Sequence, residues 1–199
     1  MRENTREALR VFESMGCRVQ HVELDWTERS AKAAWDYLCH IVGAQVAPML
    51  KTGGHLMTPY ARAFAEQAKK SKAADFVASL KVASDMYQSF GKILQTCDVF
   101  VCPTLAKPAI PADDPMDYDS FREAGKVIPD GLGWCMTYPF NMLSRCPVMS
   151  VASGFASTGV PTGIQIVGRT YDDVRVFKAA GAFEQAAPWT YAADGVPKL

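Results

Sequence analysis

The sequence lacks the features that would place the protein in a membrane or on a nucleic acid. No apolar run approaches the ~20 residues that a membrane-spanning helix needs, and residues 1–7 are too polar for a signal peptide. Lysine plus arginine and aspartate plus glutamate each total 21, so no excess positive charge attracts a polyanion. We therefore expect a cytoplasmic protein that binds neither membrane nor nucleic acid.

Metal-binding and catalytic motifs are also scarce. The six cysteines form no Cys-x-x-Cys pair, and none has zinc-ligand spacing to the three histidines, His21, His40 and His55. Gly-x-Ser-x-Gly, the nucleophile turn of many serine hydrolases, does not occur. We expect buried free thiols in a reducing compartment, histidines with structural roles, no metal and no cofactor.

The apolar content is sufficient for one domain. Hydrophobic residues make up 49% of the 199, so a single domain over residues 1–199 can bury a substantial core. Helical spacing of apolar residues predicts helices over residues 2–15, 28–48, 60–72, 73–96 and 172–187. In the last two, the predicted inward faces are Phe76, Leu80, Ala83, Tyr87, Phe90 and Leu94, and Val174, Phe177, Ala180, Ala182, Phe183 and Ala186.

Capping residues predict where several helices begin and end. Gly16 should end the first helix in a left-handed conformation. Thr27 should cap the start of the second helix, and Thr58 followed by Pro59 should start the third.

Four segments have the patterns of strands. Residues 18–24 alternate between apolar and polar, and residues 98–102 form a short apolar run typical of a strand buried on both faces. Apolar residues also dominate 148–152 and 163–168. Together with the helices, these segments predict a helix-rich α/β protein with a mixed sheet flanked by helices.

A long loop separates the second of these strands from the third. Residues 103–129 contain five prolines interspersed with aspartates, which excludes regular structure. A connection of this length in a compact domain often forms a functional wall. After it, residues 134–145 predict a short helix interrupted near Pro139.

The residues on both sides of this loop resemble the C-terminal part of the amidase signature family. Asp98 with Pro103-Thr104 matches the family's Asp-x-x-x-x-Pro-Thr, and Asn141 follows in the family's order. Residues 159–168 match Gly-x-Pro-x-Gly-x-Gln-x-x-Gly, the most specific of these motifs. Ala152 departs from the family, which commonly has proline there.

The resemblance implies amide C–N bond hydrolysis in the intact family but no catalytic residue in this chain. The family's Gly/Ser-rich signature, with two serines and a lysine, has no counterpart in residues 1–199. By resemblance, the substrate wall consists of Thr104, Leu105, Tyr138 and Asn141. We expect the chain to be inactive alone and to contact a small amide substrate when joined to a catalytic half.

Other functions remain open. The chain could be a non-catalytic interaction subunit that forms a homodimer or docks on a partner, because a truncated sheet exposes an edge. It could also be a small-molecule binding module that uses its aromatic wall. Ser89 and Lys92 fit the Ser-x-x-Lys of penicillin-binding enzymes, and residues 51–53 fit Lys-Thr-Gly, but their order along the chain is reversed.

Overall fold

The computed structural model describes residues 1–26, 28–109, 134–143 and 145–189. The predicted cap Thr27 and residues 110–129 of the proline-rich loop lie outside these residues. Within them, the helices are α1 (Arg2–Ser14), α2 (Glu28–Val46), α3 (Met49–Gly53), α4 (Pro59–Ala68), α5 (Ala73–Thr96), α6 (Tyr138–Met142) and α7 (Asp173–Ala186), with a 3-10 turn at Gly54–Leu56. The strands are β1 (Phe100–Pro103), β2 (Val148–Phe155) and β3 (Pro161–Val167).

Local sequence signals locate several helix ends. Gly16 has φ +86 and its N–H bonds Glu13 O at 2.9 Å, while Cys17 N–H bonds Phe12 O at 3.1 Å, so the left-handed cap is confirmed. Helix α5 has the predicted bounds. Helix α4 starts at the predicted Pro59 but ends four residues before the predicted end.

The strands form one antiparallel sheet, in the order β1-β3-β2, that separates two hydrophobic clusters. The first cluster is built mainly from α2, α5 and α6, and the second from α1, α7 and the other face of the sheet. In β1, Phe100 and Cys102 pack on the first cluster, and Val101 and the preceding Val99 on the second. The helix-rich α/β class is therefore confirmed, although the described strands are all antiparallel rather than mixed.

Residues 18–24 do not form the predicted strand. The segment from residue 17 to residue 26 contains no helix, turn or bend, but no described strand lies beside it to complete a ladder. An alternating pattern favours an extended backbone, whereas a strand also requires a neighbour whose N–H and C=O groups pair with it. Sequence alternation does not supply that neighbour.

The predicted inward faces of α5 and α7 are partly wrong. On α5, Leu80 and Tyr87 are 45% and 40% exposed, and on α7, Val174 and Phe177 are 64% and 65% exposed. Ala182 and Ala186 are also exposed. The buried faces are Ser79, Val82, Met86, Phe90 and Leu94, and Val176, Ala180 and Phe183. Both helices carry apolar residues around much of their circumference, so packing selects the buried face and periodicity alone does not.

Two helix-interior glycines give a test of the packing. A Cβ on Gly43 of α2 would lie 2.3 Å from the Cβ of Ala68 on α4, whereas a Cβ on Gly181 of α7 would meet nothing within 4 Å. We expect Gly181→Ala to raise the free energy of unfolding by about 0.5–1 kcal/mol. Gly43→Ala should lower it by about 1–3 kcal/mol because of the clash. Urea denaturation of the 199-residue chain measures both.

The double variant G43A/A68G serves as the control for this pair. Removing the Ala68 methyl group relieves the contact, so it should recover part of the loss despite adding a helical glycine. A G43A variant as stable as G181A would contradict the close approach of α2 and α4.

Arg175 of α7 bonds two aspartates, one at the start of its own helix and one just before β1. Arg175 Nε donates to Asp172 Oδ2 at 2.6 Å, the Arg175 backbone N–H donates to Asp172 Oδ1 at 3.3 Å, and the guanidinium also pairs with Asp98. The bonds from Arg175 lower the pKa of Asp172 below its usual value. A lowered folded pKa means stability that is present above the unfolded pKa, about 3.9, and lost as pH falls through the folded pKa.

We therefore expect the wild-type chain to melt above Asp172→Asn at pH 7. The difference should shrink below about pH 4 and vanish once Asp172 is protonated in the folded state. Melting temperatures followed by circular dichroism from pH 7 to pH 2 measure this. Asp173→Asn removes the same charge without touching the Arg175 bonds and serves as the control. A wild-type advantage that stays constant with pH would contradict the assignment.

Candidate functional site

Thr104 and Leu105 lie directly after β1 and are joined to the segment that precedes α6. Thr104 bonds Gly163 O twice, through Oγ1 at 3.0 Å and through its backbone N–H at 3.1 Å. Leu105 forms an isolated antiparallel bridge with Cys135. The backbone bonds Ala106 N–H to Trp134 O at 2.8 Å and Met136 N–H to Thr104 O at 2.9 Å complete the connection.

Gln165 of β3 braces the same region from inside the protein. It is fully buried, and its Nε2 donates to Pro103 O at 3.1 Å and to Met136 O at 2.8 Å. Because the two acceptors lie on opposite sides of the proline-rich loop, one side chain holds both ends of that loop together. Sequence reasoning places Gln165 only within the matched glycine-rich motif, because its partners are 62 and 29 residues away.

Tyr138 and Asn141 lie on the short helix α6, with different exposure. Phe140 of the same helix is buried and packs against Trp26, Phe90 and Phe100, which fixes the helix on the first cluster. Tyr138 is half-buried against this cluster, and Asn141 is exposed. Pro139 lies in the first turn of α6, where no N–H is needed, so the predicted interruption is wrong.

Burial keeps the Tyr138 hydroxyl and the Cys102 thiol protonated at neutral pH. Desolvation, and to a lesser extent the neighbouring Cys135, raises the pKa of the Tyr138 hydroxyl. Desolvation also raises the pKa of the Cys102 thiol to about 12. Tyr138 is therefore a hydrogen-bond donor, and Cys102 is a buried thiol that cannot act as a thiolate nucleophile.

The structure thus carries the four predicted wall residues on neighbouring segments. Thr104 and Leu105 are bonded to residues 134–136, and α6 with Tyr138 and Asn141 begins two residues later. Two cavities lie elsewhere. One, of about 80 Å³, lies between the start of α2 and α5, and the other, of about 450 Å³, is an open groove along α5 beside Arg169.

Ser89 and Lys92 do not form a serine–lysine pair. The Ser89 hydroxyl donates to Asp25 Oδ1 at 2.9 Å and to Met86 O at 3.1 Å, and Lys92 is exposed. In the part of the chain that the structure describes, no group of three or more metal-ligating side chains forms a metal site. The penicillin-binding alternative therefore receives no support from the geometry.

One serine–histidine contact was missed by sequence reasoning. His40 Nδ1 lies 3.0 Å from Ser71 Oγ, and the imidazole stacks on Phe76 with ring centroids 4.7 Å apart. Asp36, one helical turn before His40, bonds Lys32 at 2.6 Å. A catalytic triad needs a carboxylate bonded to the imidazole, so the packing on Phe76 indicates a structural role.

Two substitutions compare the bonds of the Gln165 amide with the bond of the Thr104 hydroxyl. The backbone N–H of residue 104 donates to the same acceptor as that hydroxyl. Gln165→Leu leaves the carbonyl oxygens of Pro103 and Met136 without the amide donor, so we expect a loss of about 1–3 kcal/mol in the free energy of unfolding. Thr104→Val removes one of two donors to Gly163 O, and the backbone N–H of residue 104 remains. We expect a loss below about 1 kcal/mol for this variant.

Urea denaturation gives both values, and limited proteolysis shows whether residues 134–136 become accessible in Q165L alone. Equal losses in the two variants would contradict the bracing role of Gln165.

Known proteins similar to this chain share one family. The amidase family model matches residues 1–177. An acylamidase of Rhodococcus erythropolis is 27% identical over 185 residues, which cover 92% of this chain and 38% of that protein. A glutamyl-tRNA(Gln) amidotransferase subunit of Thermosynechococcus vestitus is 30% identical over 118 residues, which cover 57% of this chain and 22% of that protein.

The same relationship holds in three dimensions. The crystal structure of a bacterial aryl acylamidase of the amidase signature family aligns with a TM-score of 0.78 at 25% identity, covering 98% of this chain and 42% of that one. The chain therefore spans less than half of the length of each of these relatives. Among the described helices, none is both long and apolar enough to cross a bilayer. The resemblance found in the sequence is confirmed, and this chain belongs to the amidase family.

Proposed function

We propose that this chain is the non-catalytic part of an amidase-type hydrolase. It supplies a scaffold and part of the substrate-pocket wall, and a second segment supplies the serines and the lysine that cleave the amide bond. The observation that carries this proposal is the family match over residues 1–177 in a chain that covers 38% of its acylamidase relative. We call the segment with the Gly/Ser-rich signature the catalytic segment, whether it is part of the same polypeptide or of another.

The wall residues suit a small amide with an acyl or aryl group. Leu105 offers an apolar contact, Tyr138 a protonated hydroxyl and Asn141 an exposed amide that can both donate and accept. The Thr104 hydroxyl already bonds Gly163 O. Thr104 therefore positions the backbone beside Leu105 rather than offering a free donor to the substrate. The names of the acylamidase and aryl acylamidase relatives support acylated amines as the first substrates to test.

A requirement for a second segment also agrees with the kinds of relatives. Several of them are, by name, subunits of glutamyl-tRNA(Gln) amidotransferase, so members of this family work within assemblies. We infer that this chain likewise acts inside an assembly. Its partner in that assembly is the catalytic segment.

An amidase assay tests the proposal. We expect the purified 199-residue chain to show no turnover of an acylated aniline, because Ser89, the serine of its Ser-x-x-Lys match, bonds Asp25 and Met86 rather than a lysine. Adding the catalytic segment should produce turnover that Ser89→Ala leaves unchanged. Turnover by the chain alone that disappears in one of its own serine-to-alanine variants would refute the proposal.

In the active assembly, Tyr138→Phe and Asn141→Ala should each lower kcat/KM by about tenfold, the effect of losing one hydrogen bond to substrate. Gln88→Ala, an exposed change on α5, is the control and should leave kcat/KM unchanged. Wild-type kcat/KM in both wall variants would remove these residues from the site.

A further inference from the structure

A row of three side chains crosses the sheet beside the candidate wall. Gln165 of β3 is the register partner of Cys102 on β1 and of Ser150 on β2. Register partners on neighbouring strands carry their side chains on the same face of a sheet. Ser150 therefore lies on the face that carries the Gln165 amide, which holds the two sides of the proline-rich loop together.

Gly163 leaves the next position on this face without a side chain. It lies two residues before Gln165 on β3, so both positions face the same side of the sheet. A Cβ on Gly163 would lie 3.2 Å from Thr104 Oγ1 and 3.4 Å from Ser150 Oγ. Glycine inside a strand often marks a place where a ligand or another backbone comes close. The two hydroxyl groups therefore border the same stretch of sheet surface, at the wall residue Thr104.

Ser150 offers the hydroxyl group that Thr104 cannot. Thr104 Oγ1 donates to Gly163 O at 3.0 Å, so its single hydrogen is already used. Ser150 is exposed, and a serine hydroxyl can both donate and accept. A polar atom of a ligand that lies over Gly163 can thus bond Ser150 in place of water.

We infer that Ser150 is a further substrate-binding residue, an inference that rests on the proposed function. Its hydroxyl group bonds a polar atom of the acylated amine beside Gly163, while Leu105 contacts an apolar part of the same molecule. Such a bond is made to the bound substrate as well as to the transition state, so it stabilises both alike. Its loss should raise KM and leave kcat unchanged.

Kinetics of the active assembly test this role. We expect Ser150→Ala to raise KM for acetanilide, an acylated aniline, by about five- to tenfold at an unchanged kcat, the effect of losing one hydrogen bond. Ser150→Thr keeps a hydroxyl group and suits a strand, so its KM should change by less than about twofold. Ser157→Ala, in the exposed turn after β2, is the control and should leave both constants unchanged. Since Ser150 is exposed, Ser150→Ala should not move the urea midpoint of the 199-residue chain.

An NMR titration of the 199-residue chain tests the contact without catalysis. Acetanilide should shift the backbone amide signals of Ser150 and Gly163, and it should do so with the same Kd as for Tyr138 and Asn141. One bound molecule that contacts all four residues gives one Kd. The amide signal of Ser157 should not shift.

The outcomes separate this inference from the proposed function. An active assembly in which Tyr138→Phe lowers kcat/KM but Ser150→Ala keeps the wild-type KM refutes the role of Ser150 and leaves the proposed function intact. A loss in Ser150→Thr as large as that in Ser150→Ala also refutes it, because the hydroxyl group is then not what matters. Shifts at Ser150 and Gly163 without turnover by the assembly support the contact and refute the proposed function. The absence of both turnover and shifts refutes both proposals.

Discussion

The complete burial of strand β3 is the constraint on which the rest of the structure depends. Ile164, Gln165, Ile166 and Val167 all have zero exposure, because β1 and β2 cover the two edges of the strand and the hydrophobic clusters cover its faces. A side chain amide in such a position must bond inside the protein. The amide nitrogen of Gln165 does so with two backbone carbonyls, and its bonds to Pro103 and Met136 place the candidate wall.

The positions of the candidate wall residues depend on the scaffold alone. The wall residues are held by backbone pairing, by the Gln165 brace and by Phe140 in the core, none of which needs a catalytic group. Burial raises the pKa of the Cys39 thiol to about 11, and that of Cys102 to about 12, which keeps both protonated. Neither thiol is therefore a nucleophile at neutral pH.

Among the described residues, no strand pairs with the segment 18–24 or with the outer side of β1. Both contact the two clusters, because Val19 and Val101 pack on the second cluster, whereas Leu24 and Phe100 pack on the first. Natural proteins usually protect such edges, because exposed edges recruit other strands. Here Arg18 and Glu23 are the charged residues on the edge, and both are exposed.

The sequence alone determined the features that depend on neighbouring residues. Gly16 ends α1 because a left-handed cap needs no Cβ, Pro59 starts α4, and the apolar spacing locates α5 at its observed bounds. The glycine-rich motif at residues 159–168 was enough to indicate the amidase family, because such motifs reflect local backbone requirements.

Only the tertiary structure decided what depends on residues far away in the chain. It buried Val82 and Met86 of α5 rather than Leu80 and Tyr87, because packing against α2 and α6 selects the face. It gave Gln165 its partners across the proline-rich loop. It also left residues 18–24 without a neighbour, since strand pairing is a property of two segments and an alternating sequence describes only one of them.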